Sequence, residues 1–533
     1  MKSIVVEPKS DQFEKCRQFL TERLSASGVP GGILDENIMV FEELYSLIIR
    51  ENIKNKALSV GVVRNYKGVT IRVSFEGKRF YAGYDPDTGE LDPTLSLLSE
   101  YREKISYKYA TGTNEISISV VNRYNSNIIL ALAHLIIAIP AFALLDNCCG
   151  DAALSKLNSL FMLFVRMFIN AVIMFSAPVT FFSLITNISD GVHQLDSSHN
   201  MTRVLRKIVS TSVFAIVLAY LLDILFKSYM TSYVANHYAF EAADSFIGNL
   251  TGSYKKIVYS DIFSAFTVYS PFPLILIAVL NAAALCSMTD HYDTMKAFTD
   301  SANDLMTRLS SIVFLVLPLM AFLSMFGFLY KFGYSVLLDI VILSLFVLGA
   351  CVLLMLTYFA RLAFNGINPF RFFAKCLPAI GATVNIGSSI DALPYNIRYM
   401  SRTFSIDRNL LKKEMPLMSQ MNLDGNCLVL FLIAMGLINA AGIEMPFANL
   451  VLLAVLVLAI SAGAPNQGGF ILIGMVIIAS YLNLVEDNIC GFVIYEVLWS
   501  SFITVLNTFG DFTIAAIDAK KQGTFDIEKQ PVA

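Results

Sequence analysis

The residues best suited to hold an ion lie between Asn422 and Asn426, in the sequence Asn-Leu-Asp-Gly-Asn, with apolar residues on both sides over 414–435. The carboxylate of Asp424 at mid-bilayer depth is unfavourable unless it meets a cation, a partner or water. Gly425 lets the backbone unwind, and an unwound turn exposes carbonyl oxygens that can coordinate a hard cation. A helix–helix contact made by asparagine hydrogen bonds is the alternative, but so many oxygen ligands in five residues favour an ion site in a broken membrane helix.

The composition excludes an ordinary soluble protein. Of the 533 residues, 56% are hydrophobic and 15% are charged, whereas a soluble domain is about 25% charged. Several apolar runs reach the roughly 20 residues that a membrane helix needs. Eight scattered cysteines and five histidines without ligand spacing argue against a metal centre. From the composition and the apolar runs we expect a polytopic membrane protein. Because no nucleophile–base pair is visible either, we expect that it is not an enzyme.

The apolar runs predict eight transmembrane helices. The broken helix at 414–435 is the seventh and a run at 489–519 is the eighth. The six spans before them are predicted at 128–145, 157–186, 204–226, 263–286, 312–330 and 337–358.

Residues 1–125 are charged and contain no spanning run, which predicts a soluble α/β domain. Its motifs, Phe41-Glu42-Glu43-Leu44 and Gly112-Thr113-Asn114-Glu115, resemble those of the histidine-kinase-like ATPase domains of anti-sigma regulators. That family binds Mg²⁺ with an asparagine where this chain has Leu47, and its adenine-binding loop survives at best as Glu76-Gly77-Lys78. The resemblance implies a degenerate ATPase fold that binds a nucleotide weakly or a regulatory protein; an unrelated α/β regulatory cap is the alternative. Strands are predicted at 3–7, 58–65, 69–75 and 115–121, and helices at 11–24, 35–52 and 92–104.

The membrane part resembles the dicarboxylate/amino acid:cation symporters, the glutamate-transporter family. The Asn-Leu-Asp-Gly-Asn turn is similar to the family's Asn-Met-Asp-Gly-Thr, with Leu423 and Asn426 as departures. The other matching motifs follow in the family's order through residues 126–521: Pro178-Val179-Thr180, Thr211-Ser212, Asn368-Pro369-Phe370, Ser388-Ser389, Ala462-Gly463-Ala464-Pro465 and Asn507-x-x-Gly510-Asp511.

The resemblance implies an all-α membrane domain of eight transmembrane helices plus two re-entrant hairpins. Hairpin one is expected at 379–400 and hairpin two, the outer gate, at 447–484, where glycine and proline let the chain reverse within the bilayer. The domains are then 1–125, 126–521 and a tail at 522–533. By the positive-inside rule the link after hairpin one and both termini face the cytoplasm, at the inner or plasma membrane. The residues that carry this rule are Arg398, Arg402, Arg408, Lys412 and Lys413.

The family's ion-binding positions are kept, except for a tyrosine that is Ile208 here. Sodium is the implied coupling ion because oxygen ligands suit it, although protons could load the same carboxylates. Serine and threonine hydroxyls inside spans otherwise often bond back to their own helix. The implied cation ligands are Thr211, Ser212, Asn422, Asp424, Asn507 and Asp511.

The substrate positions depart more. Ile503 stands where carriers of acidic amino acids have an arginine, and Ser500 where amino-acid carriers have an aspartate. A second substrate carboxylate would then be buried unpaired, so a neutral or aliphatic end is favoured unless another cation, or Asp391 for an amine, replaces these groups. Asp391 is either a solvent-facing tip residue or a binding-site carboxylate. The implied substrate-binding residues are Ser388, Ser389, Asp391, Ala464, Pro465, Gly468, Ser500, Ile503, Thr504 and Asn507.

The sequence thus predicts a cation-coupled symporter of a small carboxylate or amino acid that works by an elevator-type mechanism. By resemblance it is a homotrimer in the lipid bilayer, and we expect no nucleic-acid partner. The alternative is a transporter-derived membrane sensor that signals through residues 1–125. The intact cation positions argue against the sensor, and a transporter gated by its own cytoplasmic domain lies between the two.

Overall fold

The structure is a computed structural model, and the chain divides in it into two compact units, Met1–Ser126 and Asn127–Ala533. Each unit is described by itself below. The residues that the structure describes are 2–9, 12–27, 29, 31–50, 57–65, 68–76, 105–110, 113–122, 126–196, 199–235, 266, 271–386, 389, 392–440, 445–463, 469–481 and 491–527.

The described part of the first unit is an antiparallel sheet with two helices. Its strands stand in the order β1-β2-β3-β5-β4, and alternate side chains of the central strands, such as Val60, Ile71 and Ile118, are buried against the helical Leu20 and Phe41. This period of two is what a half-buried strand requires. The elements are β1 (Lys2–Val6), α1 (Phe13–Ala26), α2 (Gly31–Arg50), β2 (Leu58–Asn65), β3 (Gly68–Glu76), β4 (Ile105–Ala110) and β5 (Thr113–Asn122).

Two details of this unit bear on the predicted ATPase resemblance. Leu47 is 3% exposed and belongs to the hydrophobic core, so it serves packing rather than ion binding. Strand β4 was not predicted, and it pairs with β5 along its whole length. The helix expected at 92–104 and the loop residues Gly77, Lys78 and Gly112 lie outside the described residues.

The second unit is helical throughout its described part. It contains long apolar helices, two pairs of short helices and a helix that is interrupted in its middle. The helices are α3 (Ser126–Cys148), α4 (Asp151–Asp196), α5 (His199–Ala235), α6 (Pro271–Ser287), α7 (Tyr292–Phe314), α8 (Leu317–Phe332), α9 (Ser335–Phe364), α10 (Pro369–Ile386), α11 (Leu393–Phe404), α12 (Arg408–Met421), α13 (Asp424–Ala440), α14 (Phe447–Ala462), α15 (Phe470–Tyr481) and α16 (Phe492–Lys521).

Length and composition identify fewer spans than the eight expected from the sequence. Among the described residues, six helices are long and apolar enough to cross a membrane, or seven if α7 and α8, bent by 50°, form one span. The fourth predicted span, 263–286, corresponds to α6, whose described apolar part is Phe272–Ser287 and therefore short. These helices make the chain a multi-pass membrane protein.

The two predicted hairpins correspond to pairs of short helices. In hairpin one, α10 begins at Pro369, ten residues before the predicted start at 379, and it is followed by α11. The Thr383 hydroxyl and the Asn396 side chain hydrogen-bond across its two arms. Hairpin two consists of α14 and α15, with 16 and 12 residues, each shorter than the roughly 20 that a span requires.

One of the five residues used for orientation is buried. All five lie in α11 or α12, but Arg398 is only 9% exposed, so it does not count as an exposed charge beside the link, as the positive-inside rule requires. Arg402, Lys412 and Lys413 are exposed, and Arg408 is partly exposed. The charge argument for this link therefore rests on these four residues.

The interrupted helix lies at the centre of the unit. In the most apolar stretch of α12 and α13, 94% of the residues are buried, against 22% in α3. Helices α5 and α16 pack against α13. The polar residues of the break are thus enclosed by protein, which is the condition under which non-helical backbone is tolerated at membrane depth.

Candidate cation and substrate site

The predicted break in the seventh membrane helix is present. Helix α12 ends at Met421 and α13 begins at Asp424. Between them Asn422 leaves the helical conformation, with φ −86° and ψ 70°, although its N–H still donates to the Met418 carbonyl at 2.8 Å. The break therefore starts after that hydrogen bond and frees the carboxylate of Asp424 to project from the first turn of a new helix.

The Asp424 carboxylate is completely buried and accepts hydrogen bonds from two hydroxyl groups. Ser212 Oγ of α5 donates to Oδ1 at 2.8 Å, and the hydroxyl of Tyr358 of α9 donates to Oδ2 at 2.9 Å. Both donors carry lone pairs that can turn toward a cation, because a hydroxyl is both donor and acceptor. The carboxylate thus sits among oxygen atoms from three helices.

The Asn422 amide joins the second carboxylate to α5. Its Oδ1 accepts a hydrogen bond from Thr211 Oγ1 at 3.0 Å, and its Nδ2 donates to Asp511 Oδ1 at 2.8 Å. Asp511 is 4% exposed. The same Thr211 hydroxyl also bonds back to its own helix, at 2.9 Å from the main-chain oxygen of Ile208.

Asn507 completes the cluster from α16. Its Oδ1 accepts the main-chain N–H of Gly425 at 2.9 Å, and its Nδ2 lies 3.3 Å from Asn426 Oδ1. The structure therefore brings all six predicted cation positions together in three adjoining sets of hydrogen bonds, which we call the cation network, and Asn426, an oxygen ligand of the predicted turn, belongs to the third set.

The chemistry of this network suits a cation with a preference for oxygen. Among the described residues, no lysine or arginine pairs with Asp424 or Asp511 within 4 Å. A buried carboxylate without a countercharge is strongly unfavourable. The surrounding ligands are hydroxyl and amide oxygens, which suit hard cations, and the described residues contain no cluster of three or more His, Cys, Asp or Glu that would favour a transition metal.

Tyr358 is the site residue that sequence reasoning missed. It is the last residue of the predicted sixth span, where one hydroxyl gives no periodic signal, and it is 1% exposed. The same hydroxyl would lie 3.1 Å from a Cβ at Gly510, next to Asp511. Helix α9 thus takes part in the site, and only the fold reveals this.

We expect Tyr358→Phe to weaken sodium binding about tenfold, since a hydrogen bond to a charged group contributes about 1.5–3 kcal/mol. The ring and its contact with Phe509 are kept, so folding should be preserved. Equilibrium sodium binding by the purified variant measures the effect. The neighbouring Thr357→Ala, which removes a hydroxyl bonded to its own helix, is the control and should bind normally.

The close approach of α13 and α16 depends on Gly425. A Cβ there would lie 3.0 Å from Asn507 Oδ1 and 3.2 Å from the main-chain oxygen of Ile503. Since that carbonyl belongs to a helix, it cannot turn aside as a flexible side chain could. The glycine therefore serves helix packing as well as the break.

We expect Gly425→Ala to lower the thermal midpoint and to weaken sodium binding, with a destabilisation of about 1–3 kcal/mol, as for other overpacked positions. Thermal unfolding in detergent with and without sodium measures both effects. Gly381→Ala, where a Cβ would meet nothing within 4 Å, is the matched control. Equal stability of the two variants would contradict the tight packing at Gly425.

The predicted substrate positions are only partly described. On α16, Ile503 is 4% exposed and Thr504 Oγ1 donates to the Ser500 carbonyl at 2.9 Å. The Ser500 hydroxyl is buried and has no hydrogen-bond partner within the described residues. Ser389 is a partly buried turn residue between the arms of hairpin one. The remaining predicted substrate positions, Ser388, Asp391, Ala464, Pro465 and Gly468, lie outside the described residues.

Comparison with known proteins agrees with this architecture. The profile of the family described as "Sodium:dicarboxylate symporter family" matches residues 127–521, which is most of the chain and includes every element of the cation network. The match leaves out the first unit.

Curated relatives match shorter parts of the chain. Excitatory amino acid transporter 1 of Bos taurus is 21% identical over 46% of this chain and 46% of its own length. C4-dicarboxylate transport protein 3 of Bradyrhizobium diazoefficiens is 25% identical over 44% of this chain and 52% of its own length. Excitatory amino acid transporter 3 of Mus musculus is 26% identical over 27% of this chain and 28% of its own length. The chain thus spans about half or less of these relatives.

Proposed function

The chain belongs to the sodium:dicarboxylate symporter family, and we propose that it is a secondary active transporter that couples the movement of a small carboxylate or amino acid to sodium. The observation that carries the proposal is the network in which Asp424 and Asp511 lie buried among hydroxyl and amide oxygens, with no lysine or arginine of the described residues within 4 Å of either carboxylate. Membership of a family of transporters supports the prediction that the chain is not an enzyme.

Sodium is the proposed coupling ion. The family takes its name from sodium, and the ligand set consists of carboxylate, amide and hydroxyl oxygens from α5, α9, α13, α16 and the break before α13. A bound cation offsets the unfavourable burial of both carboxylates. Binding of the ion then favours the folded site with the network closed around it.

The proposed substrate is not a standard acidic amino acid. The relatives are named for excitatory amino acids and C4-dicarboxylates, but Ile503 offers no charge to a second carboxylate and is buried. The Ser500 hydroxyl is buried and has no hydrogen-bond partner in the described part of the chain, so a substrate oxygen or amine could form a hydrogen bond with it. A substrate with one carboxylate and an uncharged remainder fits these two positions best.

The remaining features of the proposal rest on resemblance. Hairpin two closes the site from outside, the transport unit slides as a rigid body, and three chains assemble. The link between α11 and α12, both termini and the first unit face the cytoplasm, where that unit binds a nucleotide or a regulatory protein. The relatives' names describe transporters, so they lend no support to the sensor alternative.

Reconstituted protein tests the proposal. Uptake of neutral amino acids, monocarboxylates and dicarboxylates into liposomes is measured with an inward sodium gradient, with an inward proton gradient and with neither. We expect concentrative uptake of at least one singly charged or neutral substrate with the sodium gradient only. Uptake that follows the proton gradient alone would contradict sodium coupling, and equal uptake with no gradient would contradict secondary active transport.

A further inference from the structure

Glu496 is a buried carboxylate that takes no part in the cation network. It lies on α16, one turn before Ser500, and is 1% exposed. Its Oε1 accepts the main-chain N–H of Gly469 at 2.9 Å, and its Oε2 accepts that of Leu472 at 2.8 Å. In the described part of the chain no lysine or arginine forms an ion pair with it. Among the residues described around it, main-chain amides therefore hold this carboxylate.

These amides open the second arm of hairpin two. Gly469 immediately precedes α15, which begins at Phe470, and Leu472 lies in its first turn. The first N–H groups of a helix have no acceptor within the helix, and the positive end of the helix dipole favours an anion there. The Glu496 carboxylate accepts hydrogen bonds from these N–H groups and places a negative charge at the positive end of the helix dipole. It thereby links the start of α15 to α16.

The start of α15 is also packed closely against a second helix, at Gly469. Gly469 has a φ of +102°, and a Cβ there would lie 2.1 Å from the ring of Phe314. A side chain is thus excluded by both the backbone conformation and the space. The start of the second arm lies between a carboxylate on α16 and an aromatic ring on α7, so its position is tightly defined in this structure.

We propose that Glu496 is a positioning residue that holds the second arm of hairpin two against α16 and thereby sets how readily the hairpin opens. The proposal rests on the proposed function in one respect, namely that hairpin two is the gate of the site. Because α16 also carries Ser500, Asn507 and Asp511, the gate and the cation network are attached to the same helix.

Hydrogen exchange of the purified full-length protein tests the attachment without any substrate. Glu496→Gln keeps the size of the side chain but replaces a charged acceptor of two N–H groups by one neutral oxygen. We expect amides of residues 469–476 to exchange about tenfold faster or more, since a hydrogen bond to a charged group contributes appreciably more than a neutral one. Unchanged protection of these amides would overturn the proposal.

A matched control separates this effect from general loosening. Asp223 of α5 is another buried carboxylate, which accepts a hydrogen bond from the Asn439 amide of α13 at 2.7 Å, so Asp223→Asn neutralises a buried charge that is bonded to α13 rather than to the start of α15. We expect it to leave exchange over 469–476 unchanged. Faster exchange there in both variants alike would overturn the specific role of Glu496.

A second variant covers the case in which Glu496→Gln does not fold. Glu496→Asp keeps the charge but shortens the side chain by one methylene, so it cannot reach both N–H groups. Faster exchange confined to residues 469–476 supports the attachment, and unchanged exchange overturns it. Because exchange is measured without transport, absence of uptake in liposomes would count against the proposed function while leaving this result in place.

Discussion

Asp511→Asn should lower sodium affinity about 100-fold or more and abolish sodium-driven uptake. The substitution keeps the shape of the side chain and an oxygen that can accept the Asn422 amide, which now lies 2.8 Å from Asp511 Oδ1. It removes the negative charge from a site where Asp511 is 4% exposed. Breaking a buried charge pair is unfavourable by about 3–5 kcal/mol, and each 1.4 kcal/mol is about tenfold in affinity.

The measurement is the sodium dependence of uptake into liposomes for wild type and variant. The control is again Asp223→Asn, which removes a charge from a carboxylate that is also 4% exposed but belongs to another contact. We expect the control to retain sodium-driven uptake. If Asp511→Asn transported with the sodium dependence of the wild type, Asp511 would not be a cation ligand.

Ile503→Arg should shift substrate selectivity toward dicarboxylates by about 10- to 100-fold, as expected for a new hydrogen-bonded charge pair of about 1.5–3 kcal/mol. Ile503 is buried on α16 beside Ser500 and Thr504, and a guanidinium there could bind a second carboxylate in bidentate fashion. Without a dicarboxylate the arginine is buried unpaired, so uptake of neutral substrates should fall.

The test compares competition by monocarboxylates and dicarboxylates in the wild type and the variant. Ile503→Leu conserves volume and should keep the selectivity of the wild type, which controls for packing. The role given to Ile503 would be contradicted if the wild type already preferred dicarboxylates and Ile503→Arg did not increase that preference.

The cation network was predictable because its residues are adjacent in sequence or lie on one helix face. Asn422 and Asp424 flank one residue, and Asn507 and Asp511 are one turn apart, so their types and spacing carry the signal. Thr211 and Ser212 needed the family resemblance as well, because hydroxyls in spans often bond only to their own helix. Thr211 in fact does both, toward Lys207 and toward Asn422.

The contacts between distant segments were not predictable. The Tyr358 hydroxyl reaches Asp424 across 66 positions of sequence, and Glu496 reaches back to Gly469. One polar group in an apolar helix has no period, so its direction depends on how the helices pack. Strand β4 differs, because Ile105-Ser106-Tyr107-Lys108-Tyr109 has the period of two that is typical of a strand, and its pairing with β5 confirms a signal that the sequence prediction overlooked.

The sequence predicted the bounds of the membrane helices less accurately than the positions of the motifs. The predicted fifth span became two helices, α7 and α8, with a bend of 50° between them, because the amphipathic stretch before it continues as helix. Hairpin one begins at Pro369 rather than at 379. Hydropathy marks where a chain is apolar, whereas helix ends are set by capping and packing.

Equilibrium binding of radioactive sodium to the purified wild-type protein tests the central claim most directly, because it needs no knowledge of the substrate. The buried network of Asn422, Asp424, Asn507 and Asp511 predicts saturable binding that a chemically inert cation such as choline does not compete away. If the amount of sodium bound to folded and monodisperse protein rose linearly with sodium concentration, without saturation, this would contradict the assignment of the network as a cation site.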